Sequence, residues 1–303
     1  MDLDSKNGFV STVWGPATWH YLHTVSITYP INPTESERQT YFTFIQSLCH
    51  VLPCRSCREG LVQNLERVPL RHSDLKGRVS FSHWMYRLHN EVNRMLHKPT
   101  VVSFGQVCSR HLNSKKAELC IIAQQPDIGC RSSGVGADGE AHPWTCDVQM
   151  TSDVLAHKDT NHRKWNEAFW LFFHFVSLNF PLEPSSLNRF QYRQFVECLV
   201  MTSPPESKWS KCLRSIVLDP SSGLSINQRR LDSRRVFSTW VYDVHCEHIR
   251  KCRNMPPLPP FDEFFRECEQ FRASNCTIPP KLEHGGCVQS AHDAPRRCVV
   301  KLQ

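Results

Sequence analysis

The chain has 303 residues, a formal net charge of +7 at pH 7 and an apolar fraction of 40%. No apolar run approaches the roughly 18 residues that a membrane-spanning helix needs, and the first ten residues lack the apolar core of a secretory signal. The densest arginine cluster, residues 229–235, is typical of a solvated helix face. We therefore expect no signal peptide, no membrane partner and no nucleic-acid partner.

Cysteine is unusually abundant, with 15 residues in the chain. Some of these side chains can be small buried hydrophobes, but packing alone does not explain so many. The alternatives are zinc sites or a protein whose function is thiol chemistry. Because the count is odd, not every cysteine can pair within the chain.

The region from Trp14 to about Lys98 predicts four helices. The first ends at Pro30. The second has the clearest amphipathic pattern, with apolar residues at helical spacing. These residues are Tyr41, Phe44, Ile45, Leu48, Val51 and Leu52.

The third predicted helix begins at Pro53, which places Cys54 and Cys57 in its first turns. The fourth begins at about Ser80, a plausible N-cap residue, and ends before Pro99. Short connections between such helices are typical of an antiparallel bundle. The fold class predicted for this region is therefore all-α.

The aromatic pattern of the first region recurs after a Gly- and Ser-rich stretch, residues 126–143, that has the composition of a flexible linker. Eight matches carry this repeat, the first five at an offset of 151 residues and the last three after an insertion of five. The pairs are Trp14 and Trp165, Trp19 and Trp170, His23 and His174, Tyr41 and Tyr192, Phe44 and Phe195, Arg78 and Arg234, Trp84 and Trp240, and His89 and His245. The repeat predicts a second, degenerate copy of the helical bundle.

The second copy lacks the cysteine pair, because the same offset aligns Cys54 with Pro205 and Cys57 with Lys208. We therefore expect no redox chemistry in this copy. The predicted organisation is a first helical domain over 11–104, a partly flexible linker over 105–159, a degenerate helical domain over 160–253, and a tail with one short helix over 254–303.

Cys54 and Cys57 form a Cys-x-x-Cys motif. Two intervening residues allow the two sulfurs to form a small disulfide ring, and a helix N-terminus lowers a thiol pKa because it favours the thiolate. Arg55 and Arg58 act in the same direction. The motif alone leaves two other interpretations open, a zinc site completed by histidines and a purely structural staple.

Two further groups of residues lie on the predicted helices. His89 and Asn93 are one helical turn apart, with Lys98 just beyond the helix end, and Trp19 and His23 are one turn apart on the first helix. Each group alone is compatible with a satisfied polar core. Together with the cysteine pair, they indicate an aromatic, amide-lined slot that suits a stacked planar cofactor better than a metal, so we expect no metal site.

Residues 11–101 resemble the Erv/ALR sulfhydryl oxidase family, including its members from large DNA viruses. The matching elements are Trp14-Gly15-Pro16, Trp19, Leu22-His23, Tyr29-Pro30, Leu52-Pro53-Cys54, Cys57, Leu88-His89-Asn90, Val92-Asn93, Leu96 and Lys98-Pro99. The resemblance implies a four-helix bundle with a short fifth helix that holds FAD. It assigns cofactor contacts to Gly15, Thr18, Trp19, His23, His89, Asn90, Val92, Asn93, Leu96 and Lys98.

The resemblance also implies an activity. Cys57 would lie against the flavin, and Cys54, expected to be the more accessible sulfur, would exchange with a protein dithiol. The product would be a disulfide, with O2 reduced to H2O2. The competing hypothesis is a zinc-binding or disulfide-stapled interaction module.

The same resemblance suggests a role for the second copy. We expect the two copies to pack together as an intrachain pseudo-dimer with one FAD per chain, and a further homodimer is open. If the chain is viral, its site of action would be the host cytoplasm or nucleus, and the virion.

Overall fold

A computed structural model of the chain describes residues 8–100, 103–111, 161–204, 207–252 and 257–273. The first group of helices is α1 (Ser11–Ile27), α2 (Glu35–Val51), α3 (Arg55–Arg67), α4 (Arg78–Met95) and α5 (Phe104–His111). The second is α6 (Asn161–Leu178), α7 (Ser186–Met201), α8 (Lys208–Val217), α9 (Arg234–Cys252) and α10 (Phe261–Glu269). Within these ranges extended structure is limited to isolated bridges, which confirms the all-α prediction.

None of the helices in the described ranges combines the length and the apolar character that a bilayer crossing requires. The predicted linker at 126–143 and the last thirty residues lie outside the described part of the chain.

Side-chain caps fix where the helices of the first group begin. Thr34 caps α2 in a capping box with Glu37, whose carboxylate accepts the Thr34 N–H at 2.7 Å. Helix α4 begins after Gly77, not at Ser80 as predicted. The Ser80 hydroxyl oxygen accepts the Gly77 N–H at 3.2 Å, so this serine satisfies the helix end from inside the first turn.

Buried polar contacts attach the loops of the first group to helix α4. The Arg78 guanidinium donates to the carbonyl of Tyr29, and the Trp84 indole N–H donates to the carbonyl of Val68 at 3.2 Å. Tyr29 also packs edge-on against Tyr41, with ring centroids 4.6 Å apart. The loop that follows α1 is thereby held against α2 and α4.

The second group of helices repeats these contacts. Arg234 donates to the carbonyl of Phe180, and Trp240 donates to the carbonyl of Leu224 at 2.9 Å. The Phe180 and Tyr192 rings meet edge-on at 4.7 Å. Arg234, Trp240 and Tyr192 are the positions that the sequence repeat pairs with Arg78, Trp84 and Tyr41, and Phe180 stands 151 positions after Tyr29.

Helices α5 and α10 occupy related places. Phe104 of α5 packs against Tyr86 of α4 at 5.7 Å, and Phe261 of α10 packs against Tyr242 of α9 at 5.4 Å. Tyr242 stands 156 positions after Tyr86, the offset of the Arg78–Arg234 pair. Each short helix thus packs on the last long helix of its own group.

The two groups meet through α1 against α6 and α2 against α7. The Phe44 and Phe195 rings stack at 6.2 Å, and the Tyr21 and Phe172 rings lie 6.4 Å apart. Each pair joins a residue to the one 151 positions later. A contact between matched residues is the pattern of an isologous interface, in which the same patch faces itself across a two-fold axis.

Candidate active site

Cys54 and Cys57 are joined by a disulfide at the N-terminus of α3, with their Cα atoms 5.1 Å apart. Cys54 is the N-cap residue of this helix. Its Sγ lies 3.2 Å from the backbone N–H nitrogen of Cys57 and 3.2 Å from the Ser56 hydroxyl oxygen. When the disulfide opens, these donors and the helix dipole would favour a thiolate at Cys54.

The two arginines of this turn have different environments. Arg55 is exposed and pairs with Glu59 at 2.9 Å, so its charge is largely compensated. Arg58 donates to the carbonyl of Leu52 at 2.6 Å, and burial is the main cause that lowers the pKa of its guanidinium. An arginine stays charged at neutral pH even with a lowered pKa, so Arg58 adds a positive charge to this turn.

A short N-terminal segment covers the redox pair. Gly8 forms an antiparallel bridge with Cys54, and the Phe9 N–H donates to the carbonyl of Pro53 at 2.7 Å. Cys54 is consequently only 7% exposed, whereas Cys57 is half-buried. The prediction that Cys54 is the more accessible cysteine is therefore wrong for this conformation.

The covering segment is itself held by the residues that follow α10. The Ala273 N–H donates to the carbonyl of Gly8 at 2.9 Å, and the Val10 N–H donates to the carbonyl of Phe271 at 3.0 Å. Residues 8–10 thus lie between the redox turn of α3 and the described end of the chain.

Three predicted cofactor residues are in direct contact. The Trp19 and His89 rings stack with centroids 3.8 Å apart and planes within 3°. Nε2 of His23 lies 2.9 Å from Nδ1 of His89, so the N–H of one ring donates a hydrogen bond to the other. His23 is buried, while Trp19 and His89 are half-buried. The cluster therefore presents a partly exposed aromatic surface.

The remaining predicted residues lie on α1, on α4 or just beyond α4. Four of them are half-buried on and after the last turns of α4: Asn90, Val92, Asn93 and Leu96. Lys98 is exposed, and its backbone N–H donates to the carbonyl of Asn93 at 2.8 Å. On α1, the Thr18 hydroxyl donates to the carbonyl of Trp14, and the space beside Gly15 is open.

The second group contains the same stack in a closed environment. Trp170 and His245 stack at 3.9 Å, and His174 contacts His245 at 2.9 Å. Here, however, the Trp209 side chain from α8 packs 6.0 Å from Trp170 and 4.6 Å from His248. All five residues are at most 3% exposed, so the counterpart of the slot is filled by protein.

The structure also corrects the alignment of the cysteine pair. Ser207 is the N-cap residue of α8, as Cys54 is of α3, and it accepts the N–H of Ser210 at 3.0 Å. Ser207 and Ser210, not Pro205 and Lys208, therefore stand at the cysteine positions. The loop before α8 is two residues longer than an ungapped count allows. Serines keep the helix cap but cannot form a disulfide.

Sequence reasoning missed one cluster altogether. The ligand-type atoms of Cys212, His248 and Cys252 all lie within 4.8 Å of one another. No metal was predicted in the chain, and the zinc alternative was placed at Cys54 and Cys57. The spacing of His248 and Cys252, one turn apart on α9, is the signal that could have indicated this cluster.

The sequence profile of the Erv1/Alr family matches residues 16–116. A probable FAD-linked sulfhydryl oxidase of Acanthamoeba polyphaga mimivirus is 40% identical over 80 residues, which cover 26% of this chain and 56% of that protein. The FAD-linked sulfhydryl oxidase ERV2 of Saccharomyces cerevisiae is 34% identical over 84 residues, covering 28% of this chain and 41% of the yeast protein. The chain thus spans about half or less of the length of these relatives.

Coverage is higher for a smaller viral relative. A putative FAD-linked sulfhydryl oxidase of Invertebrate iridescent virus 6 is 31% identical over 91 residues, which cover 29% of this chain and 82% of the viral protein. The profile match at residues 16–116 includes the Cys54–Cys57 disulfide and the Trp19–His89 stack. The chain therefore belongs to the Erv1/Alr family.

Proposed function

We propose that this chain is an FAD-dependent thiol oxidase that introduces disulfides into protein dithiols and reduces O2 to H2O2. The observation that carries the proposal is the Cys54–Cys57 disulfide at the N-terminus of α3. In a chain of the Erv1/Alr family, a disulfide at this helix end indicates exchange chemistry more than a structural staple. The relatives named above are FAD-linked sulfhydryl oxidases, which supports the same activity.

The first half of the reaction needs only residues of the chain and the substrate. Once residues 8–10 move off Cys54, a substrate thiolate attacks its Sγ, the Cys54–Cys57 bond breaks, and Cys57 leaves as a thiolate. The second substrate thiolate then attacks the sulfur of the first, and Cys54 leaves in turn. The Cys57 N–H and the Ser56 hydroxyl, both 3.2 Å from Cys54 Sγ, would stabilise the charge that develops there. The substrate is oxidised and the cysteine pair is reduced by two electrons.

The residues beside the redox turn fit a planar cofactor. The α8 residue Trp209 closes the second slot, and its counterpart in α3 is Ser56, which follows the cap residue by the same two positions. A small side chain there leaves room beside the half-buried Trp19–His89 stack. FAD, when bound, would supply the two-electron chemistry that returns Cys54 and Cys57 to the disulfide and passes the electrons to O2.

We further propose that the second group of helices is a flavin-free internal partner. It retains the aromatic core but has Ser207 and Ser210 in place of the cysteines, and its slot contains Trp209. Covalent linkage keeps this partner at a high effective concentration, on the order of millimolar for a short flexible tether. One FAD per chain is therefore expected.

The proposal is tested with the purified full chain. We expect a yellow protein with one FAD per chain and consumption of O2 when a reduced protein or a small dithiol is added. The same preparation should release about one H2O2 per disulfide formed. A colourless protein that binds no added FAD would exclude the oxidase, and two FAD per chain would exclude a flavin-free partner.

A further inference from the structure

We propose that Cys212, His248 and Cys252 bind one Zn²⁺ ion that links α8 to α9 in the second group of helices. The proposal is independent of the oxidase activity, because the three side chains are separate from Cys54 and Cys57 in both sequence and position. Cys212 lies on α8, while His248 and Cys252 lie one turn apart on one face of α9.

The geometry of the cluster fits a tetrahedral ion. Nε2 of His248 lies 3.5 Å from Sγ of Cys252, and the ligand atoms of all three residues fall within 4.8 Å of one another. With metal–sulfur and metal–nitrogen bonds of about 2.3 and 2.1 Å, the edge between a thiolate and an imidazole ligand of a tetrahedron is about 3.6 Å. Two sulfurs and one imidazole nitrogen are the donor set that zinc prefers over magnesium or calcium.

The nitrogen of His248 that faces the cluster is Nε2, which lies 3.5 Å from Sγ of Cys252. The ring is fully buried, and Nε2 also lies 3.0 Å from the carbonyl oxygen of Trp209. A neutral imidazole carries one N–H and one lone pair. Coordination of an ion through Nε2 would therefore place the N–H on Nδ1 and replace the contact with the Trp209 carbonyl.

The two cysteines complete the cluster beside Nε2 of His248. Both are half-buried, so a water molecule can reach the fourth position of the ion. A zinc ion would displace the thiol protons and bond to both sulfurs and the imidazole nitrogen.

Among the described residues the cluster lies in the second group, and the matched positions of the first group carry other side chains. By the helix alignment, His248 and Cys252 correspond to Val92 and Leu96, two predicted cofactor contacts of α4, and Cys212 corresponds to Glu59. Helices α8 and α9 are thus the counterparts of the redox helix and the cofactor helix. Where the first group has a slot for a planar cofactor, the second has an indole and three metal-ligating side chains. A bound ion would take over the role of joining the two helices.

The test is metal analysis of the full chain, expressed with added zinc and purified anaerobically with a non-chelating phosphine reductant. We expect about one zinc per chain. Cys212→Ser and Cys252→Ser should each lose most of it. Cys246→Ser is the matched control, because Cys246 is also half-buried on α9 but lies outside the cluster, and it should retain the zinc. Cys54→Ser should retain it as well.

A second measurement keeps the proposal testable if a variant is poorly folded. Cobalt substituted into the wild-type chain should give a thiolate-to-cobalt charge-transfer band and the intense visible absorption of a tetrahedral site. A chelator should lower the melting temperature of the wild-type and Cys246→Ser chains. Zinc-free wild-type protein, zinc retained by both Cys212→Ser and Cys252→Ser, zinc lost with Cys54→Ser, or a Cys212–Cys252 disulfide in the purified chain would each overturn the proposal.

Discussion

The two groups of helices share a framework but differ where chemistry would occur. Both stack a tryptophan on a histidine, Trp19 on His89 and Trp170 on His245, and both join that histidine to another at 2.9 Å. The shared stack is therefore part of the packing of this fold. It does not by itself distinguish a cofactor site from a core.

The differences lie at the N-termini of α3 and α8. The first presents a disulfide beside a half-buried stack, and the second presents two serines beside Trp209. The open slot of the first group and the packed core of the second thus differ by a few side chains at one helix end. The N-terminus of α3 therefore distinguishes the two groups, whereas the aromatic pattern is common to both.

The largest expected effect comes from removing the disulfide at the N-terminus of α3. Cys54→Ser or Cys57→Ser should reduce dithiol oxidation more than a hundredfold, because no disulfide remains to exchange, while FAD stays bound. Ser207→Ala and Ser210→Ala are the matched changes in the second group and should leave turnover unchanged. Oxygen-electrode assays with a small dithiol measure both. Activity of the cysteine variants near the wild-type rate would show that other cysteines carry the reaction.

The next effect concerns the interface between the two groups. Phe44 and Phe195 are fully buried and stack on each other, so Phe44→Ala and Phe195→Ala should each lower the free energy of unfolding by about 3–5 kcal/mol. Because the rings contact each other, the double variant should lose less than the sum of the two. Denaturant titration measures these values. Additive losses would contradict a direct contact.

Acid should destabilise the second group through its buried histidines. Burial lowers the pKa of His174 to about 3, and burial, followed by the charge of His174, lowers the pKa of His245 well below its usual value. The unfolded chain therefore binds more protons below pH 6.5, and stability falls as the pH decreases from about 6.5 toward 3. At pH 5.5 the loss is about 1.4 kcal/mol per histidine.

Melting temperatures between pH 7.5 and 5.5 test this dependence, since few carboxylates titrate in that range. His174→Asn should melt at a lower temperature but with a shallower pH dependence. A melting temperature that does not change with pH would contradict neutral burial of the two rings.

A smaller effect is expected for the cofactor slot. His89→Ala or Asn93→Ala should weaken FAD binding by about 1–3 kcal/mol, because each change leaves polar partners unpaired. Ile249, the counterpart of Asn93, provides the control, and Ile249→Ala should retain FAD. Flavin released on dilution, followed by fluorescence, measures the difference. Equal retention in all three variants would remove these residues from the site.

The smallest effect concerns the segment that covers Cys54. Gly8 has φ 81°, and a Cβ there would overlap the Pro53 carbonyl oxygen, so Gly8→Ala should displace the segment. A destabilisation of about 1 kcal/mol would make reduction of the disulfide by a small thiol about fivefold faster. Gly223→Ala, where a Cβ meets no neighbour, is the control. A slower or unchanged rate for Gly8→Ala would show that residues 8–10 do not limit access.

Much of the fold was predictable from local patterns. The apolar spacing of α2 and Pro53 after it predicted that helix and a third helix from Pro53; the third helix begins two residues later, at Arg55, with Cys54 as its N-cap. The aromatic and histidine repeat predicted a second copy of the helices, and the structure shows matched contacts such as Arg78 with Tyr29 and Arg234 with Phe180. The all-α class and the family were confirmed because the motifs that carry them are local in sequence.

The loops limited what could be predicted. An offset counted without gaps placed the lost cysteine pair at Pro205 and Lys208, and the cap geometry of α8 places it at Ser207 and Ser210. The start of α4 was misplaced for a similar reason, since Ser80 satisfies the helix end from within the first turn. A loop can absorb two or three residues without changing the helices that it joins.

The features that could be read from the sequence have local causes: the main helices, the Cys54–Cys57 motif and the repeat. Tertiary structure alone decided three features. These are the burial of Cys54 under residues 8–10, the filling of the second slot by Trp209, and the convergence of Cys212 with His248 and Cys252. Each depends on contacts between segments far apart in the chain. Such contacts are set by how the helices pack, which no spacing within one helix records.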